Sequence, residues 1–448
     1  MPLDFLAEVC RDFADEEAIV DRDRAITYCA LAAAIAAARA RLAAAGIGAG
    51  AVVALEADYS AAAVAMFLAL FESGAIALPL APSSEARKPA LCALAQAEWR
   101  VVLSGNGDGE TRIESIGVVA AHPLYAELRA RRAPGLVLFT SGSTGEPKAA
   151  VHDAERLLRK YRTRRHRRRT LLFLLFDHIG GVDTLLQALA NGSAAIIPAD
   201  RSPEGVCATI ERHRVEVLPA APSFLAMLLL SEAYVRHDLS SLRYITYGAE
   251  VMPQATLDRV AREFPGVTLL QKYGITEVGT LRSKSRANDS LWVKVGGEGF
   301  ETRVVDGMLE VKAESSILGY LNAPSPFTAD GWFITGDAVD VDGEYVRILG
   351  RASDLINVGG RKVYPAEVEG VILELDEITE AAVVGEPHPF TGQIVVARVV
   401  PRGPTDPRAL EQRVREHCRA RLELFKVPVK VLSSAESLHS ERQKTTRR

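Results

Sequence analysis

Cysteine is scarce in this chain, and what there is forms no pattern. Cys10, Cys29, Cys92, Cys207 and Cys418 are odd in number, scattered, and never in a Cys-x-x-Cys pair. That excludes a disulfide framework and a zinc site built on paired thiolates, and it fits a reducing compartment, so a cytoplasmic protein is expected. An excess of one charge is also lacking: 53 basic against 57 acidic residues leave −4. Such a balance gives no global attraction to nucleic acid or to a membrane surface, and no nucleic-acid partner is expected. Long apolar runs are missing too. The nearest, 30–45, is alanine-rich and broken by arginines, and reads as an amphipathic surface helix rather than a membrane span. Met1-Pro2-Leu3-Asp4 opens without a basic region, so no secretory leader is expected.

What remains is the composition of an ordinary globular enzyme, 48% apolar and 25% charged over 448 residues, long enough for two or three domains. Between about 50 and 270, strand-like runs at 52–55, 76–80, 101–103, 171–176, 194–197, 215–218, 244–247 and 268–271 alternate with helical patterns. The helical patterns lie at 62–71, 181–190, 204–213, 224–230 and 254–264. This βαβα rhythm argues for parallel sheets covered on both faces. From 290 to 349 short strands, turns and glycines suggest a small β-rich subdomain. Beyond Gly350 a helix at 365–375, strands at 381–384 and 394–400 and a helix at 408–422 read as a separate small lobe. The run 159–169 holds seven arginines, a lysine and a histidine. It is either a solvated face or a patch for the phosphates of a nucleotide, CoA or a carrier-protein arm.

The residues that carry chemistry begin at 136. Leu136-Val137-Leu138-Phe139 reads as a buried strand, followed by Thr140-Ser141-Gly142-Ser143-Thr144-Gly145-Glu146-Pro147-Lys148. Gly142 and Gly145 allow a tight turn whose N–H groups point at phosphate oxygens. Thr140, Ser141, Ser143 and Thr144 add hydroxyl donors, and Lys148 adds a charge. A polar surface turn has the same composition, and the Gly-x-x-Gly-x-x-Lys spacing is not that of a P-loop. Tyr273-Gly274-Ile275-Thr276-Glu277 follows a strand, where open α/β sheets bind ligands. There Thr276 can donate to a phosphate and Glu277 can hold Mg²⁺. Tyr247-Gly248-Ala249-Glu250 closes another strand. In Gly331-Trp332-Phe333-Ile334-Thr335-Gly336-Asp337 the aspartate is suited to accept from both hydroxyls of a ribose.

In this order the motifs resemble those of the acyl-adenylate-forming ligase superfamily, which includes acyl-CoA synthetases, peptide-synthetase adenylation domains and luciferase-like enzymes. The resemblance implies an α/β fold. A large N-terminal AMP-binding lobe (1–350) would combine parallel α/β subdomains with a small β-rich one, and a small mobile α+β lobe (351–448) would follow. It assigns nucleotide contacts to the 140–148 loop, Gly248, Ala249, Glu250, Tyr273 and Gly274, with Asp337 on the ribose and Arg351 on ribose or phosphate. Thr276 would contact the α-phosphate, Glu277 would hold Mg²⁺, and His178 would flank the adenylate. Tyr345 to Glu369 resembles the family hinge. Its pivot is Ser353, where the family usually has Asp or Lys, and Gly359-Gly360 would line the thiol tunnel. Lys444 is the candidate catalytic lysine, although Gln443 stands where the family has glycine.

The implied chemistry is ATP-dependent activation of a small-molecule carboxylic acid, followed by thioester formation with CoA. Loading of a carrier-protein phosphopantetheine is the alternative, an acyl carrier protein then being the partner. A non-catalytic nucleotide-binding relative is the second. Asp177 of Phe176-Asp177-His178-Ile179-Gly180-Gly181 raises one further option, because amino-acid-activating relatives pair an aspartate of this segment with the substrate amino group. Pro222-Ser223-Phe224 is expected to wall the acid pocket.

Overall fold

The computed structural model describes residues 3–103, 111–141 and 146–438. Two seven-stranded sheets dominate it. In one, the order is Gly319–Tyr320, Pro147–Asp153, Gly135–Ser141, Ile76–Leu80, Val52–Glu56, Trp99–Leu103, Thr111–Ser115. In the other it is Thr268–Gln271, Tyr244–Tyr247, Val217–Ala220, Thr170–Leu171, Ala195–Ile197, Glu17–Asp21, Arg24–Thr27. Apart from Pro147–Asp153, which is antiparallel to Gly135–Ser141, the inner strands pair in parallel, as does the edge strand Thr268–Gln271, while the other three edges pair antiparallel. Val52–Glu56 and Ile76–Leu80 are buried at every position, which explains why they read as continuous apolar runs rather than alternating ones.

Helices fill the space between the sheets. Tyr28–Ala44 buries Tyr28, Leu31, Ile35, Ala38 and Leu42, one stripe at three- and four-residue spacing. Ala61–Glu72 starts on the Ser60 hydroxyl, which accepts from Ala63 N, and buries all nine residues from Ala63 to Phe71. With Ile179–Ala190 it joins both sheets in one apolar core. At about 1.5–3 kcal/mol for each fully buried large side chain, this layer fixes the spacing between the sheets.

One expected strand is mostly something else. Of 171–176 only Leu171 is in a strand, Thr170–Leu171. The rest leaves the sheet because its rings have better partners off it. Phe173 packs on Phe224 at 4.3 Å, and Phe176 on Tyr59 at 4.8 Å and Phe67 at 5.1 Å. The arginine-rich run is also explained. Arg164 pairs with Asp12, Arg167 with Glu16 and Arg169 with Glu17, while Arg167 lies 4.5 Å over the Phe13 ring. The run fastens the first strand and helix to the sheet, and its residues 162–167 are exposed, so it is a solvated face as well.

A six-stranded antiparallel sheet, ordered Ser283–Ser285, Val293–Val295, Tyr345–Arg351, Phe333–Asp342, Met308–Ala313, Phe300–Val305, forms the β-rich part. Residues after it build a separate sheet from Ile356–Val358, Arg361–Val363, Ile378–His388, Gly392–Pro401 and Lys430–Ser433. Helices Pro365–Ile372 and Pro407–Arg419 close that sheet's own core around Val368, Val383, Val395, Leu410 and Val414. No helix among the described residues is long and apolar enough to cross a membrane.

Candidate active site

Strand ends from all three N-terminal sheets open on one cleft of about 600 Å³, with the C-terminal sheet and its helix as the facing wall. The cleft brings together Thr140, His178, Ala249, Glu250, Tyr273, Gly274, Thr276, Glu277, Asp337 and Arg351, from segments far apart in the chain. Ser353 and Asp354 also line it, as do Pro365, Glu369 and Glu380 across the gap. Gly248 lines an adjoining cavity.

Asp337 is the most tightly held acid. It is buried, pairs with Arg351 Nε at 2.8 Å and accepts from the Tyr273 hydroxyl at 2.6 Å. Its own N–H donates to Thr335 Oγ1, whose hydroxyl donates to Leu309 O. Burial pushes the Asp337 carboxyl above its ordinary range, against the pull of Arg351 and Tyr273. Burial, reinforced by Asp337, raises the Tyr273 phenol in turn, so Tyr273 stays a donor.

Glu277 accepts from the Tyr320 hydroxyl at 2.5 Å. Burial and then Glu277 raise that phenol, which keeps it protonated. Lys148 does not line the cleft; its ammonium sits 5.5 Å over the Tyr320 ring, one residue removed from Glu277. Thr276 is buried directly before Glu277. Among the described residues no group of three His, Cys, Asp or Glu could hold a metal. A lone carboxylate is what Mg²⁺ uses when phosphates and water supply its other ligands.

The turn after Tyr244–Tyr247 is shaped by close approach. A Cβ on Gly248 would stand 2.4 Å from Lys272 O, and Ala249 takes a left-handed φ of +70°. A non-glycine residue held there stores backbone strain where two cavities meet. Glu250 secures the turn by accepting from Ser223 N at 3.2 Å, and Pro222 and Ser223 line the cleft as a wall. His178 caps helix Ile179–Ala190, Nδ1 accepting from Gly180 N at 3.1 Å, and lines both cavities. Asp177 does not line either. It accepts from Ser84 Oγ at 3.1 Å and Ala81 N at 3.4 Å, tying the two sheet layers together rather than facing a substrate amine.

Gly142, Ser143, Thr144, Gly145 and Lys444 lie outside the described residues, as does the side chain of Ser141. Reading the motifs missed Lys272, which lines both cavities. It stands between the end of strand Thr268–Gln271 and Tyr273.

Residues 6–321 match the model of the AMP-binding enzymes, and 367–443 that of the AMP-binding enzyme C-terminal domain. A methyl-dioxo-octahydroindenyl-propanoyl:CoA ligase from Rhodococcus jostii is 33% identical over 310 residues, 65% of this chain and 60% of that protein. Indoleacetate–CoA ligase from Aromatoleum aromaticum is 30% identical over 328 residues, 67% and 63% of the two chains. The matches thus span 60% to 63% of those relatives' length. An anthranilate CoA ligase solved with anthranoyl-AMP has the same fold, with a TM-score of 0.83 at 22% identity over 100% of this chain and 95% of that one. Matched along most of its length by both family models, the chain belongs to the AMP-binding enzymes, the acyl-adenylate-forming ligase superfamily.

Proposed function

We propose that the protein is an AMP-forming acyl-CoA ligase. The observation that carries this reading is the convergence of Thr276, Glu277, Asp337 and Arg351 on one cleft that opens into a second cavity able to take an acid. The names of the relatives, CoA ligases for different acids, support the thiol acceptor.

A carboxylate is a poor acyl donor because its oxygen leaves badly. Its attack on the α-phosphorus of ATP forms a C–O–P link and breaks the bond to pyrophosphate. Negative charge spreads over the phosphate oxygens as this happens, so aimed donors and cations lower the barrier. Asp337 orients the nucleotide by accepting from the ribose hydroxyls, and Arg351 holds Asp337 in place. The Thr276 hydroxyl donates to the α-phosphate. The 140–148 loop and Lys444 add donors and charge, and His178, fixed by its cap, flanks the mixed anhydride. Glu277 would hold Mg²⁺, which when bound neutralises phosphate charge. In the second step the CoA thiolate attacks the acyl carbon and AMP leaves.

One cleft serving both steps requires a movement between them. We assign it to the lobe after 350, pivoting at Ser353, which takes Lys444 away and brings Gly359-Gly360 to the thiol path. Asp12, Glu16 and Glu17 pair with three of the seven arginines in the run at 159–169, which does not discriminate between CoA and a carrier-protein partner.

The test is pyrophosphate release from ATP and Mg²⁺ against a panel of carboxylic and amino acids, with and without CoA. Acid-dependent release that turns over repeatedly only with CoA is expected. Turnover only with a holo-carrier protein would replace CoA by the carrier. No acid-dependent release, with ATP still bound, would make the protein a nucleotide-binding relative without ligase chemistry.

A further inference from the structure

Beside the cleft lies a cavity of about 510 Å³ whose walls are two regular faces. One is a single face of the second sheet, where alternate residues Val217 and Pro219, Tyr244 and Thr246 point the same way, with Leu270 on the edge strand and Lys272 just past its end. The other is one stripe of helix Ile179–Ala190, carrying Gly180, Asp183, Thr184 and Gln187. The slot runs along that helix from His178 at the cleft to Asn191 and Arg165 at the far end, about 20 Å at the helical rise per residue.

Its walls are mostly apolar or neutral, but its charges do not balance. The Lys160 ammonium is paired with Asp183 and also donates to Thr280 O at 3.1 Å. Asp183 further accepts from the Tyr161 hydroxyl at 2.6 Å. Arg282 pairs with Glu298 at 2.6 Å, and Arg168 stacks 4.6 Å over the Tyr244 ring with Glu216 nearby. Lys272 is half-buried, and among the described residues its ammonium has no hydrogen bond and no ion pair. The only carboxylate acting on it is Asp183, already shared by Lys160 and Tyr161, while Lys160 and Arg165 repel it. Burial therefore lowers its pKa, the mark of a cation desolvated without compensation.

Lys272 is the half-buried cation of this wall without a partner among the described residues, Arg165 at the far end being exposed, and a half-buried ammonium matches one monoanion. It lines the slot where the slot joins the cleft, just past the strand that carries Leu270, whereas the reacting carboxylate must meet the α-phosphate beside Thr276. We propose that the acid substrate carries a second carboxylate, bound by Lys272 in the slot, so that the substrate class is dicarboxylic acids with an apolar span lying on Leu270, Pro219 and Leu174. This deepens the ligase reading and depends on it.

The experiment compares straight-chain α,ω-dicarboxylic acids with monocarboxylic acids of equal length, by acid-dependent pyrophosphate release from the full chain, together with Lys272→Met and Lys272→Arg. A dicarboxylate is expected to exceed its monocarboxylate in kcat/KM by about tenfold or more, the weight of a charge-assisted hydrogen bond. Lys272→Met should abolish that preference and Lys272→Arg retain it, both variants still binding ATP. Equal use of both series by the native protein, or the same proportional fall for both in Lys272→Met, would overturn this inference while leaving the ligase reading intact. Silence with every acid, despite ATP binding, would overturn the ligase reading and this inference with it.

Discussion

The cleft and the slot share His178, Ala249, Lys272 and Gly274, yet they are built in opposite ways. The cleft is made of strand ends and turns, so its residues arrive in short contiguous groups such as 249–251 and 271–277. The slot draws more on the interiors of strands and a helix, with alternate positions on the sheet and every third or fourth on the helix, completed by the runs 246–249 and 280–283. Their charge differs as well. The cleft sets Glu277, Asp337, Glu369 and Glu380 around Arg351, a wall suited to a hydroxyl-rich, metal-bearing nucleotide. The slot holds Lys272, a half-buried ammonium without a partner among the described residues. Chemistry that needs several donors at one point is served by loops, while selection among substrates is served by a surface whose residues change one at a time.

Three variants would break or sharpen that comparison. The largest effect is expected in the cleft. Asp337→Ala removes a buried acceptor that Arg351 and Tyr273 hold in position. Steady-state kinetics should show KM for ATP rising by about a hundredfold, the loss of two hydrogen bonds to a charged group, with KM for the acid far less affected. The same carboxyl sets a pH dependence in the native protein. Its folded pKa lies above the ordinary value, so as pH falls it protonates early and KM for ATP should rise before ordinary carboxylates titrate. The stability sign is opposite to that of a salt-bridged acid. Ionised Asp337 costs stability above its raised pKa, and the cost disappears as pH falls below the ordinary one. A flat ATP profile over that range would remove Asp337 from the ribose.

The middle effect belongs to the slot. Thr184→Trp fills it from the helix side, and KM for longer acids should rise about tenfold while short acids and ATP are little changed. An equal rise for acids of every length would mean that the acid lies elsewhere. The smallest effect lies in neither cavity. Arg169 bonds Glu17 at 2.6 Å and His213 O at 2.7 Å. Arg169→Ala should cost about 1 kcal/mol, seen as a small fall in melting temperature that salt partly masks, with kcat retained.

The same contrast accounts for what could be read from the sequence. Tyr273-Gly274-Ile275-Thr276-Glu277 and Thr335-Gly336-Asp337 were legible because a turn beside a phosphate or ribose tolerates few residue types, and they stand together. Most strands of the two large sheets were legible because burial on both faces demands unbroken apolar runs. The segment 171–176 has the same composition, but nothing local reveals that Phe173 and Phe176 pack on Phe224 and Phe67. The pairing of Arg164, Arg167 and Arg169 with acids about 150 residues earlier is equally invisible in one dimension. Asp177 read as a possible amine partner by resemblance to amino-acid-activating relatives, yet it bonds Ser84 and Ala81 while its neighbour His178 faces the cavities, because one residue of rotation at a helix start turns a side chain to another face. Lys272 was overlooked because one lysine at a strand end carries no signal until the opposite wall is known.

The most direct test of the central claim is to mix enzyme, ATP, Mg²⁺ and a substrate acid without CoA, identify the bound product by mass spectrometry, and then add CoA. Acyl-AMP with pyrophosphate in the first stage, converted to acyl-CoA and AMP in the second, is the predicted result. An acyl phosphate with ADP, or bound ATP that stays intact in the presence of an acid accepted in the panel, would contradict it.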